Sequence, residues 1–186
     1  KTMRLSRQKR VKRILFSLLI SQLFLNGKKS RVTRLSADFV FRMHSRYPNA
    51  KLFHSRENLW RTFGCALGNN KWLGFELGVA SGDATKIFLK MPYAVNCVGW
   101  NGFDTFFGLP DEWGDLPKGA FSTNGIPPKI KSDLIQWHIG RIESTCSEIN
   151  QVKNLDHNFI VIFDFDLYSA TKAAWDVIVN YLKPGD

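Results

Sequence analysis

From Leu35 onward the apolar residues fall into short runs separated by polar and glycine-rich turns. Residues 56–67, RENLWRTFGCAL, place Leu59, Phe63 and Leu67 at helical spacing with Trp60 beside them. Gly68-Asn69-Asn70 then ends the helix, as glycine and asparagine often do. Trp72 to Val79 is short, apolar and closes in glycine, which predicts a buried strand. Residues 83–90, DATKIFLK, predict a helix beginning at Asp83, and Ala94 to Trp100 a second strand. A loop rich in Gly, Pro and Trp fills 107–128. Leu134–Ile139 and Phe159–Phe163 read as two further strands, and Thr171–Leu182 as the last helix. Strands alternating with helices predict an α/β fold: a doubly wound parallel sheet with helices on both faces and right-handed crossovers.

The amino-terminal stretch differs. Between Arg13 and Asn26 runs ILFSLLISQLFL, twelve residues interrupted by Ser17, Ser21 and Gln22, whereas a spanning helix needs about twenty. Asn26-Gly27-Lys28-Lys29 offers no small-x-small site for signal cleavage. Arg10, Arg13, Ser17 and Ser21 would form a narrow polar stripe on a mostly apolar helix. Residues 10–25 therefore suit a membrane surface or a partner, or a cover over the domain's own core, which is the reading adopted. Charge sharpens the division. Residues 1–34 hold eleven Lys or Arg and no acid, so the formal net charge of +10 resides there, and 35–186 are close to neutral. The expected organisation is a basic leader over 1–34 and one globular domain over 35–186. A near-neutral domain removes the main support for a nucleic-acid partner. Cys65, Cys97 and Cys146 are odd in number and form no metal or redox spacing, which points to ordinary thiols in a reducing, cytoplasmic setting, with peripheral membrane association as the alternative.

In sheets of this kind ligands collect at the carboxyl ends of the strands. Four such places carry candidate chemistry. Glu76-Leu77-Gly78-Val79-Ala80-Ser81-Gly82 sets an acid at a strand end before glycines that let a ligand approach the backbone. It lacks the spacing of a dinucleotide fingerprint and the lysine of a P-loop, and alone it is equally a tight turn. Asp104, followed by Thr105, could accept hydrogen bonds from a ribose diol. Gly140-Arg141 after the third strand could flank a base or form an ordinary loop. Asp164 and Asp166 lie on one side of an extended chain and could hold a hard cation, or be a solvated strand end. His138 reads as a half-buried strand residue rather than a base. The loop from Leu109 to Phe121, with Trp113 and Phe121, is expected to wall an acceptor.

Taken in order, FELGVASG, GFDTFFGLPDEW with KGAF at 118–121, HIGRIEST, and DFDLYSATKAAWD ending in LKPGD resemble the macrocin O-methyltransferase (TylF-like) family. The resemblance covers about residues 53–186. It implies a Rossmann-like class I methyltransferase fold, S-adenosylmethionine as donor, and methylation of a sugar or other small-molecule hydroxyl, often with a metal such as Mg²⁺. On that resemblance Glu76, Gly78 and Gly82 match the cofactor loop, in which Ala80 and Ser81 are also expected to meet the cofactor, and Asp104, with Thr105 beside it, matches the ribose-binding acid. Asp164 matches the metal-binding or catalytic carboxylate and Asp166 the same signature, where it is expected to share the metal, and Gly140 and Arg141 are expected beside the base. Ala80 stands where many such enzymes have glycine, and Ala170 where the family usually has serine. The family continues past its LKPGG-like turn into a strand with an Asp-Asp pair, whereas this sequence stops at Asp186. The expectation is a sheet cut after its fourth strand and its helix, with marginal stability. A homo-oligomer is left open.

Overall fold

The computed structural model describes residues 28–49, 53, 55–67, 69–152, 157–184 and 186. The chain divides into two compact units, Lys1–Phe53 and His54–Asp186. In the first, α1 (Lys28–Arg46) runs through the boundary expected at 34/35. No proline or glycine interrupts 28–46, so nothing local stops a helix where the run of basic charge ends. The apolar run at 14–25 lies outside the described residues. No helix among the described residues is long and apolar enough to cross a membrane.

The second unit carries the sheet. Its elements are α2 (Arg56–Leu67), β1 (Trp72–Leu77), α3 (Asp83–Phe88), a 3-10 turn (Pro92–Asn96) and β2 (Cys97–Asp104). After a long loop come β3 (Ile135–Ile139), α4 (Ile142–Thr145), a second 3-10 segment (Cys146–Val152), β4 (Asn158–Phe163) and α5 (Tyr168–Ile178). All strands pair in parallel in the order β3-β2-β1-β4. The chain steps outward from β1 to β3, then crosses back to lay β4 on the other side of β1. The reversal between β1 and β4 is the topological switch point, where a crevice opens at the carboxyl ends.

Alternation along β1 explains why both faces are covered. Leu73, Phe75 and Leu77 point to one side, where they join Phe103 and Phe159 against Ile142, Ile149, Ala174 and Ile178. Trp72 points to the other, packing with Trp100 and Ile160 against Leu67, Phe88, Met91 and Tyr93. Two strand glycines make room for indoles: a Cβ at Gly74 would stand 2.2 Å from the Trp100 ring, and one at Gly102 2.3 Å from Trp137. The fold is therefore α/β, Rossmann-like, with a parallel sheet between two helical layers.

The elements differ from the sequence expectation chiefly at their ends. The strand expected from Ala94 begins at Cys97, because Pro92 opens a 3-10 turn that sinks Tyr93 into the second core. The same strand runs on to Asp104, paired through Phe103 with His138 and through Asp104 with Ile139. The last helix starts at Tyr168 rather than Thr171, since the Thr171 amide already closes a turn onto the Leu167 carbonyl at 3.1 Å.

Candidate functional site

The site is built first from backbone. β1 ends at Leu77, and Gly78 turns the chain with φ +97°. A Cβ there would lie 2.7 Å from the carbonyl oxygen of Asp164, so only glycine lets the ends of β1 and β4 approach this closely. Ala80 follows with φ +47°, a left-handed conformation that costs an L-residue about 1 kcal/mol or more. Gly82, φ +71°, precedes α3.

What holds Ala80 in place is Asp104. One of its carboxylate oxygens accepts the amides of Val79 and Ala80, each at 2.8 Å, and the other accepts the amide of Phe106, also at 2.8 Å. The last residue of β2 thus fastens the turn after β1 to the turn after itself. A carboxylate offers about four acceptor positions; three are filled by amides, leaving one on Oδ1. The ribose reading given to Asp104 by the sequence must share this side chain with a structural duty that no spacing rule revealed. Its carbonyl also receives the Gly140 amide at 3.0 Å, tying in the turn after β3.

Glu76 lies beneath the turn, on the face of β1 opposite Leu77, and is 1% exposed. Its carboxylate accepts the Thr85 hydroxyl of α3 and, at 3.2 Å, the Trp100 indole N–H, which also stands 3.0 Å from the Thr85 oxygen. Burial pushes its pKa up to about 7; the bonds from Thr85 and Trp100 oppose the rise, and the nearby charge of Asp164 adds to it. A buried acid of this kind favours a cationic group beside it.

Beyond β4, the Asp164 amide bonds the Leu77 carbonyl at 2.9 Å, and its side chain meets Arg56 of α2, Nη1 to Oδ2 at 3.0 Å. Arg56 also lies over the Trp60 ring, 5.6 Å from its centroid. The pKa of Asp166 is raised by partial burial and by Asp164. These two acids do not by themselves fit a divalent cation. No group of three or more acidic, histidine or cysteine side chains among the described residues is arranged to hold a metal, and a guanidinium already occupies an oxygen of Asp164.

The parts surround one cavity of about 640 Å³ at the carboxyl ends of the four strands, a size suited to a small-molecule ligand. Of the residues singled out in the sequence, Glu76, Gly78, Ala80, Ser81, Asp104, Thr105, Gly140, Arg141, Asp164 and Asp166 line it, and Gly82 does not. Gly82 shapes the turn instead, where a Cβ would meet Pro128 at 2.8 Å. His138 is also outside the lining. Its ring is stacked on Phe103 and held between Glu148 and Asn101, so both nitrogens have partners within the fold. On the expected acceptor wall, Leu109, Pro110 and Phe121 line the cavity, whereas Trp113 is absent from the lining and pairs with Leu116 in an isolated bridge. Arg56, Phe107, Lys118 and Glu143 also line the cavity; Glu143 lies in the candidate turn after β3, and none of the four had been given a role. Arg56 stands 108 positions from its partner Asp164, and only tertiary folding brings the start of α2 to the end of β4. Phe107 and Lys118 lay within motifs already quoted and could have been taken from them.

The long loop is fastened rather than loose. The Leu109 amide reaches the Ala120 carbonyl at 2.9 Å, Gly119 returns to Leu109 at 2.8 Å, and Gly125 and Thr123 both bond the Phe106 carbonyl. The ring of Phe107 lies where a Cβ on Gly125 would intrude, at 2.6 Å. Phe107 and Phe121 remain well exposed at the mouth of the cavity. Cys97 is buried against the Gly99 carbonyl, and burial pushes its thiol up to about 11, which makes it a packing group rather than a nucleophile.

No family model and no curated protein matches the sequence. Among solved structures the chain is similar to the crystal structure of CalS11, calicheamicin methyltransferase, at 18% identity and a TM-score of 0.49, covering 91% of this chain and 73% of that one.

Proposed function

We propose that the chain is the S-adenosylmethionine-binding domain of a methyltransferase acting on a hydroxyl of a small molecule. The observation that carries this reading is the convergence of the Gly78–Gly82 turn, Asp104, the Gly140–Arg141 turn and Asp164 on one cavity at the switch point. The residues fit that cofactor. Asp104 keeps one acceptor position for a ribose hydroxyl, Asp164 and Asp166 provide negative potential for an amine and a sulfonium, and Glu76, which burial keeps protonated up to about pH 7, adds to that potential above it. When bound, S-adenosylmethionine supplies a methyl group on a positively charged sulfur.

The remaining work belongs to the protein. The two turns and Asp104 fix the donor, while Phe107, Leu109 and Phe121 give the acceptor an apolar, ring-sized surface. Holding the hydroxyl oxygen in line with the methyl is worth several kcal/mol, about 7 or more where alignment is close. Asp164 takes the proton that the hydroxyl loses. No metal enters this scheme, since the described acids do not form a site for one. The engagement of Asp164 by Arg56 favours a second reading, a nucleoside-binding module without turnover.

The test is formation of S-adenosylhomocysteine from S-adenosylmethionine with sugar and phenolic acceptors. Asp164→Asn is expected to lower turnover about 100-fold or more with the donor at saturation. Equal turnover in the variant removes Asp164 as proton acceptor, and donor binding without any turnover selects the binding module.

A further inference from the structure

Among the described residues six acidic side chains border the cavity but only three cationic ones, Arg56, Lys118 and Arg141, so an anionic group on a ligand has few places to go. The strand order narrows them. Asp104 at the end of β2 and Gly140–Arg141 just after β3 lie on one side of the Gly78 turn, and Asp164 with Arg56 on the other. If the nucleoside lies toward β2 and β3, the amino-acid end of the ligand points toward β4. Arg141 stands on the nucleoside side, leaning toward Glu143 at 3.5 Å, and Lys118 belongs to the acceptor loop.

We infer that Arg56 is a carboxylate-recognition residue, which takes the carboxylate of the ligand's amino-acid end while exchanging or sharing its contact with Asp164. Three observations support it. The guanidinium is oriented by the Trp60 ring below it. Asp164, its partner, packs against Gly78, which puts Arg56 beside the turn that approaches the ligand. The ion pair is largely exposed on both sides and so contributes little, which makes exchange for a second carboxylate inexpensive. A guanidinium has five N–H donors, and the bond to Asp164 uses one. This assignment rests on the S-adenosylmethionine reading.

The experiment compares S-adenosylmethionine with decarboxylated S-adenosylmethionine, which lacks only the carboxylate, by calorimetric titration into the native chain and into Arg56→Met. The native chain is expected to prefer the carboxylate-bearing ligand by about 10- to 100-fold. Arg56→Met should lose that preference while binding the decarboxylated ligand as before, which also demonstrates that the variant is folded. Arg56→Lys should keep part of it. A variant that weakens both ligands alike, or weakens neither, overturns the role of Arg56 and leaves the cofactor reading standing. Silence of both ligands with a native chain that melts cooperatively overturns the cofactor reading, and this inference with it.

Discussion

Glu76 is a carboxylate placed where water does not reach, and its consequence for stability has a definite sign. The folded chain keeps the proton up to about pH 7, whereas the unfolded chain releases it near the ordinary value of 4.5. The folded state therefore binds more protons in that window, and stability falls as pH rises from about 4.5 to about 7, then levels. The deficit at pH 8 is on the order of 3 kcal/mol. Glu76→Gln should melt several degrees above the native chain at pH 8 and near it at pH 5. A constant difference across that range, measured by thermal denaturation, would show that burial of Glu76 is not the cause. Asp104 is held by bonds: its carboxylate satisfies three amides, and Asp104→Asn turns an N–H donor toward at least one of them. The expected cost is about 1 to 3 kcal/mol, read by urea denaturation; an unchanged midpoint would deny the stitching role. At this scale the sequence was legible in type but not in duty. An acid after the second strand was visible, yet three bonds to amides as far away as Val79 depend on how two turns meet. His138 was correctly read as a strand residue, and the Glu148 that engages it could not have been foreseen.

At the scale of elements, α5 is the largest helix on its face of the sheet, and Ile178 and Ala174 are fully buried at its contact with β1 and β4. Ile178→Ala should cost about 2 to 5 kcal/mol; a loss under about 1 kcal/mol would mean that the helix is not packed there. The loop over 106–126 is predicted to be a fixed wall. Gly108 has φ +78°, and a Cβ on it would fall 2.3 Å from the Ala120 carbonyl. Gly108→Ala should therefore release the loop and speed tryptic cleavage after Lys118, followed by mass spectrometry. Equal cleavage of both chains would contradict a fastened wall. Strands and α2 were legible because their apolar runs are contiguous and end in glycine or asparagine. Their limits were less so: nothing in Ala94-Val95-Asn96 distinguishes a strand from the 3-10 turn that Pro92 starts, and the arrest of basic charge at Arg34 marks no break in α1.

For the whole molecule, charge and chemistry are separated along the chain. Basic residues crowd 1–34, while the cavity is bordered mainly by acids in the unit His54–Asp186. An acidic cavity suits a cationic donor, and the strand order β3-β2-β1-β4 explains why residues more than a hundred positions apart face one another across it. Fold class was readable because alternation of strands and helices leaves few topologies open. Arg56 was not, since its role follows from tertiary placement alone. The central claim is that this cavity holds the nucleoside and amino-acid parts of S-adenosylmethionine. Calorimetric titration of S-adenosylhomocysteine into the chain tests it most directly: one site per chain is expected, with affinity about tenfold or more lower in Asp104→Ala. A chain that melts cooperatively and takes up no ligand, or whose affinity is untouched by Asp104→Ala, would contradict it.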